Sequence, residues 1–422
     1  MRVQLDYGLD GLVVDLPDER VTVLEPHTEA ALSDPRAALR GALRAPLAGP
    51  PLRAVARGRP TVAISVCDLT RAQPRAAMLS ALIDEMPEVR AADVTILVAT
   101  GTHRANTADE LDRMLGPEIT SRYEVVNHDS RDAASLAHVG ETSTGAPIVL
   151  NRRWLDANVR ITTGFVEPHF FAGFSGGPKM VAPGLAGLDT VLALHDARRI
   201  ADPKATWGVT EGNPVHDDVR EIARMTGVHF ALDVTLDRAQ AITGVFAGEL
   251  FAEHRAACAA VERSAMRAVD APFDVVLTTN SGYPLDQNLY QAVKGLSAAA
   301  TVVKPGGTII CAAECRDGVP DHGSYGEILT SRPSPAQLLS MILRPGYSTP
   351  DAWQVQVQSQ IQLRATVQLK ADGLSDETIR AAHLEPVHDV ARAVRTALEA
   401  AGPDATLCVL PRGPQTIPHL TR

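Results

Sequence analysis

Basic runs are missing from this chain. Its 422 residues hold 40 Lys and Arg against 50 Asp and Glu, a formal charge of -10, and no cluster of cations offers nucleic acid or an anionic membrane an electrostatic footprint. Long apolar runs are missing too. No segment offers the ~18 consecutive apolar residues of a membrane span, and the N-terminus, MRVQLDYGLDGLVVDLPDER, places acids where a signal peptide needs an unbroken apolar core. The expected location is the cytoplasm. Cysteine is scarce: Cys67, Cys258, Cys311, Cys315 and Cys408 are odd in number and scattered, unlike a secreted disulfide framework. The Cys311/Cys315 spacing lacks the second pair that a metal site needs, so buried or free thiols are expected for all five. Neither GxxxxGK[ST] nor GxGxxG occurs, which argues against ordinary ATP or NAD chemistry. Internal repeats and low-complexity segments are lacking as well.

What is present reads as an α/β protein. The length suggests two or three domains at about 100 to 200 residues each. Short apolar runs rich in Val, Ile and Thr read as buried strands at 61–66, 94–99, 159–163, 275–279, 308–311 and 406–410. Amphipathic, Ala-rich stretches between them read as helices, notably 74–86, 188–200, 287–300, 335–343 and 389–400. Strand and helix in alternation predict mainly parallel sheets flanked by helices. The span 254–271 precedes a fresh strand and helix, so the expected domains are residues 1–270 and 271–422, with the active site in the cleft between them.

The segment from Gly164 to Gly187, GFVEPHFFAGFSGGPKMVAPGLAG, packs six Gly, four Phe, one His and one Lys into 24 residues. Such glycine density suits a backbone that turns sharply or approaches a ligand closely. His103 and His169 each follow a predicted strand within a few residues, which places both at the carboxyl ends of a sheet. Two such histidines could flank one small ligand as acid and base, or be separate loop histidines. Lys179, in Ser-Gly-Gly-Pro-Lys, suits a phosphate clamp, a nucleophile or a solvated charge. His195 falls on a predicted helix, where packing and ligation are both open. Asp68 and Arg71 form an i,i+3 pair after a strand, and an Arg fork there also suits a carboxylate ligand. Phe170, Phe171, Phe174 and Trp353 fit either core or cleft walls.

The set DLTR at 68–71, TGTHR at 100–104, EPHFFAGFSGGPK at 167–179, LHDAR at 194–198, YQAVK at 290–294 and Trp353 resembles the nickel-pincer lactate racemase family along nearly the whole chain. That resemblance implies a racemase or epimerase of 2-hydroxy acids, lactate, malate and sugar acids among them. It implies a nickel-pincer nucleotide, pyridinium-3,5-bisthiocarboxylic acid mononucleotide, attached to Lys179 as a thioamide, with His195 completing the coordination of nickel. Asp68, Thr70, Gly176, Gly177 and Trp353 would lie around the cofactor, and Arg71, Tyr290, Gln291 and Lys294 around the substrate. His103 and His169 would be the paired acid and base. By the same resemblance, residues 1–270 would bind the cofactor and carry the catalytic groups, and 271–422 would close the cleft. The expected partners are the small 2-hydroxy acid and the enzymes that make the cofactor. Two other classes use the same residues: a zinc or manganese hydrolase built on His103, His169 and His195 with Asp68 or Glu167, and a non-enzymatic nickel-cofactor carrier that keeps Lys179.

Overall fold

Runs of branched apolar residues without a polar face cannot rest against water on either side, and here they become the middle strands of parallel sheets. The computed structural model describes every residue except Thr28, His322 and Arg422. It forms two compact units, one of Thr28–His195 and Asp202–Ser264, the other of Met1–His27, Asp196–Ala201 and Ala265–Arg422.

In the former, β1 (Val62–Cys67), β2 (Val94–Ala99), β3 (Glu124–Asn127), β4 (Val159–Phe165), β5 (Phe230–Leu236) and β6 (Ile242–Gly248) make one sheet in the order β6-β5-β4-β1-β2-β3. Every pairing is parallel except β5 with β6. Strand β1 is buried on both faces: Val62, Ile64 and Val66 join a core with Met78, Leu79 and Leu82 of α1 (Arg75–Asp84). Ala63 joins the opposite core with Leu97, Trp154, Val181 and Leu194. The chain runs outward from β1 through β2 to β3, then returns to the other side of β1 with β4 and runs outward again. That reversal lies between the carboxyl ends of β1 and β4, where open α/β sheets receive ligands. Asp68, Thr100–His103 and Glu167–Lys179 all leave the sheet at this edge.

Helices α2 (Leu188–Leu194) and α3 (Ala197–Ile200) replace the single helix expected over 188–200. The break has a local cause: His195 leaves helical geometry at φ -101° and ψ 20°, and Asp196 restarts a helix by accepting from the Arg198 amide. Helices α4 (Pro214–Thr226) and α5 (Leu250–Ala265) follow.

The other unit is built on β7 (Phe273–Thr279), β8 (Val303–Ala312), β9 (Thr366–Lys370), β10 (Glu385–Pro386) and β11 (Leu407–Leu410), with α6 (Leu289–Ala300) and α7 (Ala352–Arg364). Its parallel sheet has the order β10-β9-β8-β7-β11 and is completed by Val21–Val23. The N-terminal residues Met1–His27 group with this unit. Val21, Thr22 and Val23 register against Leu407, Cys408 and Val409, and Val3, Leu5 and Val14 enter the same core as Val275 and Leu277, so the first 27 residues fold with the last 158. The five cysteines are all buried free thiols. Among the described residues, no helix is long and apolar enough to cross a membrane.

Candidate active site

The loop leaving β1 is shaped by a residue that sequence reasoning passed over. Arg75, only 6% exposed, donates from Nε to the Cys67 carbonyl at 2.7 Å, from Nη1 to that of Gln73 at 3.1 Å, and from Nη2 to those of Asp68 and of Arg71. One planar guanidinium thus holds four carbonyls in a fixed arrangement, which a lysine's single ammonium cannot match. Gln73 accepts from the Cys67 amide at 2.7 Å and donates to Thr163 Oγ1 at 2.8 Å, tying the loop to β4. Replacing Arg75 by Leu or Lys should destabilise the protein by roughly 2–5 kcal/mol, since buried carbonyls lose their donors. Denaturant unfolding measures this, and a lysine variant of unchanged stability would show the fork to be dispensable.

The carboxyl group of Asp68 is thereby aimed at the next loop. The i,i+3 spacing pairs Asp68 with Arg71, but its observed partner is His103, whose Nδ1 lies 2.6 Å from Oδ2. Thr70 donates to Oδ1 at 2.6 Å. Burial alone would raise the Asp68 carboxyl, yet the hydrogen bond and charge of His103, with Arg71 and Thr70, hold it below the usual carboxylate range. A carboxylate at Nδ1 requires the proton there, so the neutral His103 ring has its basic lone pair at Nε2. The His103 side chain is 49% exposed while that of Asp68 is 4% exposed: the imidazole faces outward and the carboxylate beside it is buried. The Gly101 amide donates to the Gly184 carbonyl at 3.0 Å, linking this loop to the end of the glycine-rich segment.

After β4 the chain makes a small antiparallel hairpin, Pro168–His169 against Gly173–Phe174. At its tip Phe171, 4% exposed, is the meeting point of three predicted residues. The His169 ring stands edge-on with centroids 4.5 Å apart, the His195 ring edge-on at 5.2 Å, and Lys179 Nζ lies 6.0 Å from the Phe171 centroid. The Nδ1 of His169 accepts from the Ala172 amide at 3.3 Å.

His195 closes α2 and donates from Nδ1 to the Val191 carbonyl at 2.7 Å. Burial pulls its pKa down to about 4, the Val191 bond opposing and the Lys179 charge assisting. A neutral ring with its proton on Nδ1 has its lone pair on Nε2, the form in which imidazole ligates a metal and the second contact by which ligating histidines are commonly oriented.

Lys179 rides on the short 3₁₀ turn Gly177–Met180. Gly176 and Gly177 before it both have left-handed φ, +73° and +50°. A Cβ on Gly176 would come within 2.7 Å of Asp233 Oδ2, and one on Gly177 within 2.4 Å of the His254 ring, so packing beneath the turn already demands both glycines. Beneath lie further groups that the sequence did not single out. The Gly177 amide donates to Asp233 at 2.6 Å, His254 Nε2 meets the Ser175 carbonyl at 2.8 Å, and His216 Nδ1 meets that of Ala172 at 3.1 Å. The two imidazoles stack with centroids 5.7 Å apart. Burial lowers them to about 3 for His216 and about 4 for His254, and pushes Asp233 up to about 7. Nothing distinguishes these residues in the chain, because they come from β5, α4 and α5 and meet only on folding.

Tyr290, Gln291, Lys294 and Trp353 belong to the other unit. Trp353 Nε1 donates to the Tyr290 hydroxyl at 3.2 Å, the Tyr290 and Tyr325 rings meet edge-on at 5.3 Å, and the Gln291 amide is capped by Asn288 at 3.0 Å. Tyr290 and Lys294 stand one helical turn apart on α6. Among the described residues no group of three or more His, Cys, Asp or Glu side chains is arranged to hold a metal ion.

Comparison with known proteins identifies the family and the fold. A lactate racemase N-terminal domain model matches residues 7–208 and a lactate racemase C-terminal domain model matches 268–417. The lactate racemase of Thermoanaerobacterium thermosaccharolyticum is 34% identical over 98% of both chains, and that of Lactiplantibacillus plantarum 37% identical over 87% of both. The solved apoprotein of the Thermoanaerobacterium enzyme superposes with a TM-score of 0.93 at 32% identity, covering 99% of this chain and 100% of that one. A Thermotoga maritima protein at 18% identity and TM-score 0.69, over 94% of this chain and 100% of its own, shares the fold. With both domains matched in order and the fold superposed along its length, the chain belongs to the lactate racemase family of isomerases.

Proposed function

We propose that this protein inverts the C2 centre of a 2-hydroxy acid by hydride transfer, with His103 and His169 as acid and base and a nickel-pincer nucleotide carried on Lys179. The observation that carries the reading is the gathering of His169, Lys179 and His195 around the Phe171 ring. Both named relatives are lactate racemases, which makes lactate the first substrate to test.

The residues fit the implied group. A neutral imidazole anchored through Nδ1, as in His195, together with soft sulfur donors, would suit nickel(II). Lys179, on a turn fixed from below, is the amine for covalent attachment. When bound, such a group supplies a reversible acceptor for the hydrogen on Cα.

The chain's own residues supply the rest. The Cα–H of a 2-hydroxy acid is only weakly acidic, so direct proton abstraction is hard, and loss of hydride with loss of the hydroxyl proton gives a planar 2-keto acid instead. His103, oriented by Asp68, takes the hydroxyl proton at Nε2, and the buried carboxylate stabilises the imidazolium that forms. On the other side of the plane His169 returns a proton to the oxygen. The balance closes because His103 ends with one proton more and His169 with one fewer, and the reverse direction restores both. The long bond from Ala172 to His169 Nδ1 costs little to give up when that ring is protonated. Arg71 is our candidate for the substrate carboxylate, and Gln291 and Lys294, three residues apart on α6, are further candidates for binding and for polarising the carbonyl oxygen.

Racemisation in D₂O tests the reading. Hydride transfer leaves Cα unlabelled, a Cα-deuterated substrate keeps its label, and quenching yields a trace of 2-keto acid. Solvent deuterium entering Cα as fast as racemisation would return the histidines to carbon-acid chemistry.

A further inference from the structure

Glycine backbone is the costliest to hold in one conformation, yet two consecutive left-handed glycines, Gly176 and Gly177, set the direction in which Lys179 leaves the chain. With no side chains of their own, they are held from below. Asp233 lies in the interior of β5, 0% exposed, in register with Gly164 of β4, so its carboxyl projects from the rigid centre of the sheet. His254, 4% exposed, projects from α5. Their bonds fall on either side of the corner: the Ser175 carbonyl before it, to His254, and the Gly177 amide after it, to Asp233.

Burying a carboxyl and an imidazole costs free energy that apolar residues of similar size would not, and neither residue belongs to the acid, base or ligand set assigned above. We propose that Asp233 and His254 are positioning residues, holding the Gly176–Gly177 corner so that Lys179 is presented in one orientation for covalent loading. The loading part of this inference rests on Lys179 being the attachment point; the positioning part does not. His216, stacked on His254 and bonded to the Ala172 carbonyl, extends the same support to the hairpin that carries Phe171.

The chain has only five lysines, Lys179, Lys204, Lys294, Lys304 and Lys370, so the reactivity of each is readable by peptide mapping after brief acetylation of the apoprotein. Lys304, ion-paired with Asp274 in the other unit, is the internal reference. Loss of one such hydrogen bond is worth roughly fivefold in an equilibrium, and Asp233→Leu should shift the Lys179 to Lys304 labelling ratio by about that factor. Co-expression with the cofactor-making enzymes should show the loaded fraction of the same variant falling at least as far. Asp233→Asn keeps an oxygen acceptor for the Gly177 amide and should stay within about twofold of the parent on both readouts. A folded Asp233→Leu with the parent's labelling ratio and loading overturns the proposal, and so does an Asp233→Asn that falls as far as the leucine variant. Should Asp233→Leu fail to fold by circular dichroism, His254→Phe, which removes the donor to Ser175, decides on the same readouts, with His254→Gln as its bond-keeping control. Absence of any adduct on the parent protein would count against the attachment reading alone, because the labelling comparison uses the apoprotein.

Discussion

Replacing Lys179 by alanine is expected to abolish both the covalent adduct and bound nickel, and to lower racemisation by roughly 10⁴-fold or more, since the chain's own side chains offer no acceptor for hydride. Protein co-expressed with the cofactor-making enzymes should carry extra mass and nickel, read by intact-mass and metal analysis, and Lys179→Ala should carry neither. Lys179→Arg is the companion: it keeps a cation near Phe171, where Nζ now lies 6.0 Å from the ring centroid, but offers no amine that can acylate. The same adduct mass on Lys179→Ala would move the attachment point elsewhere.

His103→Ala and His169→Ala should each slow racemisation about 10²-fold or more in both directions, because in the proposed mechanism each direction uses one histidine to take a proton and the other to give it. Near-parent activity in either variant would make that histidine structural. Asp68→Asn should approach the His103→Ala effect while leaving the fold intact: an amide facing Nδ1 favours the other tautomer and moves the basic lone pair away from Nε2. The pH dependence has a definite sign. Asp68 is held below its unfolded value, so its stabilising contribution is complete above the ordinary carboxylate pKa and is lost as pH falls through the folded value. Asp68→Asn should remove that share of the acid sensitivity, measurable as a smaller difference in Tm between neutral and acid solution.

Much of the fold was legible because its signals are local. The predicted runs at 61–66, 94–99 and 159–163 became β1, β2 and β4 because short runs rich in Val, Ile and Thr have few alternatives to a doubly covered strand. The helix boundary at His195 was not legible, since it depends on the cap at Asp196 competing with continuation of an apolar periodicity that runs past it. The pairing of Asp68 was misread for a related reason. The i,i+3 rule applies on a helix, and residues 68–71 form a loop whose shape Arg75 imposes from α1.

By itself the sequence determined where three groups of polar and glycine residues emerge: directly after strands, they must leave at the carboxyl edge of a parallel sheet, whatever the detailed packing. Only the tertiary structure decided which side chains meet. Phe171 gathers His169, Lys179 and His195, and Asp68 orients His103 across 35 residues. Asp233, His216 and His254 arrive from three elements to hold one turn, and the first 27 residues complete a sheet formed by the end of the chain. The physical reason is the same in each case: these are contacts between residues far apart in sequence, set by burial and by the need to satisfy buried polar groups, and no local pattern encodes them.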